Sequence, residues 1–285
     1  MMQKKLWTSG PNDPPQHLVD MSDAIEEGVG ACTVMVAVFA DASCCETLPK
    51  RGTGTCIQIG GHYLVATAAH IFEEMPATYQ AAVVCLTESG STVWPTSRPL
   101  IRGGVDGFVD VAFLELDAGV AITIGRSFIQ LGSLDPFYRE ATSDLAFLYG
   151  YPWPVEILEE GTTGKERVGL ATVSDMTGFL VTSSQQENER YDLRVRYTRP
   201  FESGAPPPGR VHRLPVPRGL SGGAVWAMTG TGQDARLRVV GTVRAWCETE
   251  HWLQCDRIGY WMQLVADERP DTRAEIEALL TGARM

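Results

Sequence analysis

An all-β fold is predicted by three stretches of this 285-residue chain. Thr55-Cys56-Ile57-Gln58-Ile59 and His62-Tyr63-Leu64-Val65-Ala66-Thr67 are β-prone runs separated by Gly60-Gly61, which reads as a hairpin closed by a two-residue primed turn. Near the other end, Ala224-Val225-Trp226-Ala227-Met228 reads as a strand, Thr229-Gly230-Thr231-Gly232 as a turn, and Leu237 to Trp246 as the returning strand. Cys32-Thr33-Val34-Met35-Val36-Ala37-Val38-Phe39 is a third apolar, β-branched run and reads as the opening strand.

The remaining elements follow in order. Residues 1–29 read as an N-terminal arm, with a short helix over Asp20 to Glu27. Leu145-Ala146-Phe147-Leu148-Tyr149-Gly150 reads as a strand ending in a Gly-Tyr-Pro turn. Ser183 to Arg218 is polar and proline-bearing, and within it Phe201 to Arg210, with Pro206-Pro207-Pro208, reads as an exposed loop. Thr272 to Leu280 ends the chain as a helix, with Thr272 and Glu275 spaced as a capping box.

Composition narrows the classes of function. Hydrophobic residues make up 44% and charged residues 21%, ordinary for a globular protein, and no apolar run approaches the ~18 residues of a membrane-spanning helix. Net charge is −11, from 24 basic and 35 acidic residues, which argues against a nucleic-acid surface. The basic positions from Arg190 to Arg218 read as a solvated face. The first residues offer no apolar stretch or small-residue cleavage site, so a secretory signal is not expected. Seven cysteines, an odd number with Cys44 and Cys45 adjacent, suit a reducing compartment and unbridged thiols, so the expected location is cytoplasmic. No metal-ligand cluster or cofactor motif is visible, and none is expected.

Three polar residues stand in informative places. Asp110 interrupts Phe108-Val109-Asp110-Val111-Ala112-Phe113-Leu114, where an ionised carboxylate is costly unless something hydrogen-bonds it. His70 closes Thr67-Ala68-Ala69-His70 at the end of a predicted strand, and Ser221 sits in Gly219-Leu220-Ser221-Gly222-Gly223. His70, Asp110 and Ser221 lie 40 and 111 residues apart, in the chain order His, Asp, Ser. With these motifs the sequence resembles the trypsin-like serine peptidases, and the approach Gly52-Thr53-Gly54-Thr55 with the Gly-Tyr-Pro turn resembles bacterial HtrA-like members without a PDZ domain.

That resemblance, letter-level around the three motifs, implies a fold of two packed six-stranded antiparallel β-barrels with a C-terminal helix. Residues 30–117 would form the first barrel with His70 and Asp110, 118–143 the connection, 144–266 the second barrel with Ser221, and 267–285 the C-terminal helix. It implies Ser221 as nucleophile, His70 as base and Asp110 as its orienter, with the N–H groups of Gly219 and Ser221 forming an oxyanion hole. Pro215, Val243, Ala245 and Trp246 fall where the family places the substrate pocket, implying a small or medium apolar side chain before the cut. Leu220 stands where zymogen-activated members carry aspartate, which excludes activation by an N-terminal salt bridge. The function implied is a serine endopeptidase acting on a polypeptide partner, with neither nucleic acid nor membrane as a partner. The segment Ser183 to Arg218 would be its regulatory loop, ordered by substrate or by a protein activator. The competing reading is a binding or scaffold module of the same fold with an incompletely formed site.

Overall fold

The computed structural model describes residues 27–39, 50–73, 75–87, 90–96, 99–103, 109–138, 145–151, 177–184, 192–196, 219–229, 236–247 and 252–282. The opening helix α1 is described over residues 27–31 only, so most of the helix expected from Asp20 to Glu27 lies outside these residues.

The first sheet is built from β1 (Thr33–Phe39), β2 (Lys50–Ile59), β3 (His62–Thr67), β4 (Gln80–Thr87), β5 (Gly90–Pro95), β6 (Leu100–Gly103) and β7 (Asp110–Leu116). Its order is β5-β4-β1-β2-β3-β7-β6, with the two-residue β8 (Ile129–Gln130) added in parallel beside β2. The path begins at β5 and ends at β6, which are successive pieces of chain separated by residues 96–99. Counted together, β5 and β6 make the antiparallel set six. The β2–β3 turn has φ of 55° at Gly60 and 88° at Gly61, both in the left-handed region that the primed turn demands.

The second sheet is a closed barrel of six antiparallel strands, β9 (Leu145–Gly150), β10 (Thr177–Ser184), β11 (Asp192–Arg196), β12 (Ala224–Thr229), β13 (Arg236–Cys247) and β14 (Trp252–Arg257), in the order β10-β11-β14-β13-β12-β9. Part of the segment Ser183 to Arg218, expected to be loop throughout, is therefore strand. Leu193 and Val195 alternate inward into the barrel core while Arg194 is only partly covered, a period-2 signal that the surrounding polar residues mask. The expected loop Phe201 to Arg210 lies outside the described residues.

A short helix α2 (Ala118–Thr123) follows the first sheet, and two helices, α3 (Ile258–Glu268) and α4 (Arg273–Leu280), follow the second. Helix thus begins at Ile258, inside the range expected of the second barrel, and breaks before α4 at Pro270. Ile258, Trp261, Met262 and Val265 are buried at helical spacing, and this periodicity distinguishes α3 from another strand. None of these helices is long and apolar enough to cross a membrane.

Among the described residues, four apolar clusters hold the molecule together. Val34, Val36, Val65, Val83 and Leu114 fill the first barrel, and Leu148, Leu193, Val225, Val240 and Leu253 fill the second. The largest lies between them, where Ile57, Leu64, Phe113, Phe147, Trp226 and Leu134 meet Trp261 and Val265 of α3. Trp261 is wholly buried, meets Phe113 edge-on with ring centroids 6.5 Å apart, and donates its indole N–H to Ala112 O at 3.1 Å. By this contact α3 buttresses β7, the strand that begins with Asp110.

The expected capping box at Thr272 is not formed. Thr272 has helical dihedrals (φ −91°, ψ −11°), and its hydroxyl donates to Arg269 O at 2.9 Å instead of capping α4. A capping side chain needs an extended backbone at this position to reach the third amide, and the tight turn from α3 denies it.

That turn is clasped to the β2–β3 hairpin. His62 donates through Nδ1 to Glu115 at 2.6 Å and through Nε2 to Asp271 at 2.7 Å, and Arg269 also holds Glu115. The hydrogen bonds to Asp271 and then Glu115 raise the His62 pKa above its ordinary 6.5. His62 lowers the Asp271 pKa; at Glu115 burial opposes ionisation, but Arg269 and His62 still hold the pKa below 4.5. The stabilisation from His62 is therefore full below pH 6.5 and is lost as pH rises through the raised folded pKa. That from Glu115 is present above 4.5 and is lost as pH falls through the lowered one. Urea unfolding of wild type beside His62→Gln should show the wild-type advantage largest between these limits and shrinking on the alkaline side. An advantage flat across that range would contradict an ionised clasp.

Candidate active site

His70 lies in a single 3-10 turn, Ala69–Ile71, that ends β3. Asp110 opens β7, which pairs antiparallel with β3 so that Thr67 stands opposite Ala112. This register carries Asp110 past the strand end and under the histidine. Asp110 Oδ2 accepts the His70 Nδ1 proton at 2.5 Å, and Oδ1 accepts the His70 backbone N–H at 2.7 Å. An ionised carboxylate is acceptor-only, so this pairing fixes the proton on Nδ1 and leaves Nε2 as the acceptor nitrogen. The Asp110 side chain is 12% exposed and that of His70 39%, so the orienting group is shielded while the ring stays reachable.

Ser221 lies in the turn that leads into β12, and main-chain hydrogen bonds define that turn. Gly223 N–H donates to Leu220 O at 2.8 Å, Gly222 N–H to Val243 O at 2.7 Å and Val243 N–H to Gly223 O at 2.8 Å. Thr53 of β2 ties it to the first barrel, donating its N–H to Ser221 O at 2.8 Å and its hydroxyl to Gly219 O at 2.8 Å. The same hydroxyl accepts Tyr151 N–H at 3.0 Å, and Thr53 O accepts the Thr67 hydroxyl at 2.8 Å. Among the described residues the N–H groups of Gly219 and Ser221 have no acceptor, so the turn leaves these donors available. Gly219 adopts φ 91°, a conformation that favours glycine.

The Ser221 turn and the His70 turn meet at Gly52. A Cβ built there would lie 2.6 Å from Ser221 O and would also strike Ile71, the residue after His70. Gly52 lacks the side chain that would part them. No hydrogen bond joins the Ser221 hydroxyl to His70 in this structure, and such bonds in ligand-free sites often tighten only with substrate bound.

Of the residues expected to line a pocket, Pro215 lies outside the described residues. Val243 is buried against the Ser221 turn, Ala245 is exposed and Trp246 is partly buried at the edge of the second-barrel core. Cys247 stands opposite Trp252 and Cys255 opposite Val243, at separate points along one ladder, and both are thiols. Burial pushes the Cys32 thiol up to about 12 and raises those of Cys56 and Cys85, so none of the three is an activated nucleophile.

Thr53 is the residue that sequence reading passed over: it appeared only as part of a glycine-rich approach. Thr53→Val is expected to cost about 1–3 kcal/mol, since it leaves Gly219 O and Tyr151 N–H without their partner. Thr53→Ser keeps the hydroxyl and should cost under about 1 kcal/mol. Thermal unfolding of the two variants beside wild type checks this.

No protein-family model and no curated protein matches the chain. Among solved structures, a double mutant of human heparin binding protein (CAP37) matches 82% of this chain and 92% of its own, at 14% identity and a TM-score of 0.51. A thermostable serine protease, AL20, from an extremophilic microorganism matches 81% of this chain and 92% of its own, at 12% identity and a TM-score of 0.47. Two packed antiparallel β-barrels followed by C-terminal helices, with this likeness, make the fold chymotrypsin-like.

Proposed function

We propose that the protein is a serine endopeptidase with Ser221 as nucleophile, His70 as general base and Asp110 as the orienter of the base. The observation that carries this reading is the doubly bonded Asp110–His70 pair, which leaves Nε2 as the acceptor in a half-exposed ring beside a turn with available N–H donors. Ser221 Oγ attacks the peptide carbonyl while His70 Nε2 takes its proton, and the oxyanion rests on the N–H groups of Gly219 and Ser221. The imidazolium then protonates the leaving amine. Water, deprotonated by the same histidine, hydrolyses the acyl-enzyme and returns Ser221.

The Gly52-Thr53-Gly54 approach and Leu220 before the nucleophile favour an HtrA-like, bacterial enzyme that needs no N-terminal salt bridge. Absence of cysteine bridging among the described thiols favours a cytoplasmic setting, and the buried Val243 beside the turn favours a small or medium apolar side chain at the cut. The substrate is a polypeptide, with a protein activator as the source of control. A second reading, a binding or scaffold module of the same fold, is favoured by the missing Ser221–His70 hydrogen bond. Labelling by a fluorophosphonate probe separates the two. Wild type should label, with Ser221→Ala blank and His70→Ala greatly slowed; a folded wild type that takes up no probe selects the scaffold.

A further inference from the structure

Behind the His70–Asp110 pair lies a second carboxylate that the reaction scheme does not use. Asp256, in β14 of the other barrel, has none of its side chain exposed. Its Oδ2 accepts the backbone N–H of Asp110 at 3.0 Å, and its Oδ1 faces Arg244 Nη1 at 3.3 Å. Arg244 is 10% exposed and lies where the β13–β14 register shifts between Val243 and Ala245. Bulges re-aim side chains, and here the shift accompanies a guanidinium turned toward the interior. A buried ion pair is a poor stabiliser compared with apolar packing, so its place beside the catalytic pair points to a role other than stability.

We propose that Asp256 and Arg244 are positioning residues for the His70–Asp110 pair, an inference that rests on reading His70 as the base. Asp256 clamps the start of β7, so that the Asp110 carboxylate meets both the backbone N–H and the Nδ1 proton of His70. Arg244 balances the second negative charge, so the imidazolium is stabilised by one uncompensated carboxylate instead of two. The neighbour of Arg244, Val243, exchanges hydrogen bonds with Gly222 and Gly223, so one polar chain runs from the nucleophile turn to the orienting acid. The barrels thereby strap each other's catalytic residues: Thr53 of the first holds the Ser221 turn, and Asp256 of the second holds Asp110.

Among the described residues, further ionisable groups stand on the neighbouring elements. Asp192 occupies the register position opposite Asp256 on β11, and Arg257, next in β14, donates to Tyr138 O. On the far side of the histidine turn Lys50 donates to Glu73 O, and a Cβ built on Gly103 would lie 3.5 Å from the Glu73 carboxylate. These groups are unchanged by the variants below.

The test is the pH titration of the His70 ring by nitrogen NMR, with the low-field Nδ1 proton as a marker of the Asp110 bond, alongside the kcat/KM profile on a small peptide. Asp256→Asn keeps an oxygen for Asp110 N–H but removes the negative charge beside Arg244, so the His70 pKa and the acid limb should fall by about one unit. Arg244→Met removes the guanidinium beside the Asp256 carboxylate that holds Asp110 N–H, and should raise both by about one unit. Arg244→Lys should stay near wild type, and the double variant Asp256→Asn with Arg244→Met should return toward it, since removing both charges of the pair lets the opposite shifts offset. Asp256→Ala should also lose the low-field proton. If Asp256→Ala does not fold, the isosteric variants decide. An unchanged His70 titration in both single variants would overturn the proposal and leave the pair a structural contact. Wild type inert to fluorophosphonate would sink the endopeptidase reading alone, because the His70 titration reads positioning without turnover.

Discussion

Ser221→Ala should remove peptide hydrolysis almost entirely, by about a million-fold in kcat on the scale that serine triads show. The reason is chemical. Alanine offers no oxygen to attack the carbonyl, and what remains is the modest acceleration of binding and oxyanion stabilisation alone. Stability should stay within about 0.5 kcal/mol of wild type, since the Ser221 side chain is part-exposed and the turn is held through main-chain atoms. His70→Ala should be nearly as severe, and the double variant hardly worse than either, because in the proposed scheme base and nucleophile act in one step. Burst kinetics on an activated ester and steady-state peptide hydrolysis provide the measurement. Losses that add in the double variant would show that the two residues do not share a mechanism.

Gly222→Ala should be the most damaging single-methyl change near the site. Gly222 has φ 82°, and a Cβ there would lie 2.7 Å from Ala68 N and closer still to Thr67 Oγ1 and Thr53 O. Those neighbours belong to the first barrel, so the methyl group would wedge the barrels apart at the point where the Ser221 turn meets the strand before His70. Backbone strain and overpacking together are worth about 2–6 kcal/mol, against a total stability of about 5–15 kcal/mol. Gly61→Ala is the control. Its φ is 88°, but a Cβ there meets nothing within 4 Å, so only the conformational cost of about 1–2 kcal/mol applies. Thermal unfolding should rank Gly222→Ala well below Gly61→Ala, and activity should fall by about a hundred-fold or more in the former through displacement of Ser221. Equal melting temperatures for the two variants would mean that the barrels do not meet so closely at Gly222.

What could be read from the chain alone was local or carried by residue type. Gly60-Gly61 between two β-prone runs is enough for a hairpin, because φ > 0 at two successive positions has few other solutions. Asp110 inside an apolar strand called for a hydrogen-bonding partner on desolvation grounds, and the structure provides His70. Other features depended on which distant surfaces meet. Thr53 and Asp256 look unremarked in sequence because their partners, Gly219 and Asp110, lie 166 and 146 residues away. The Arg244 guanidinium turned inward depends on an irregularity in strand pairing, and the period of the sequence around it reads straight through. Helix α3 carried its 3.6-residue signal in Ile258, Trp261, Met262 and Val265, yet a short apolar run suits a barrel strand as well until Trp261 is seen against Ala112 and Phe113. The Thr272 cap failed for the same reason: the turn between α3 and α4 sets its dihedrals, overriding a sequence preference worth about 1 kcal/mol. Propensity and the cost of burying charge act on a residue where it stands, and so are legible in the chain. Hydrogen bonds across the barrel interface exist only once the two cores have packed, and that packing decided the rest.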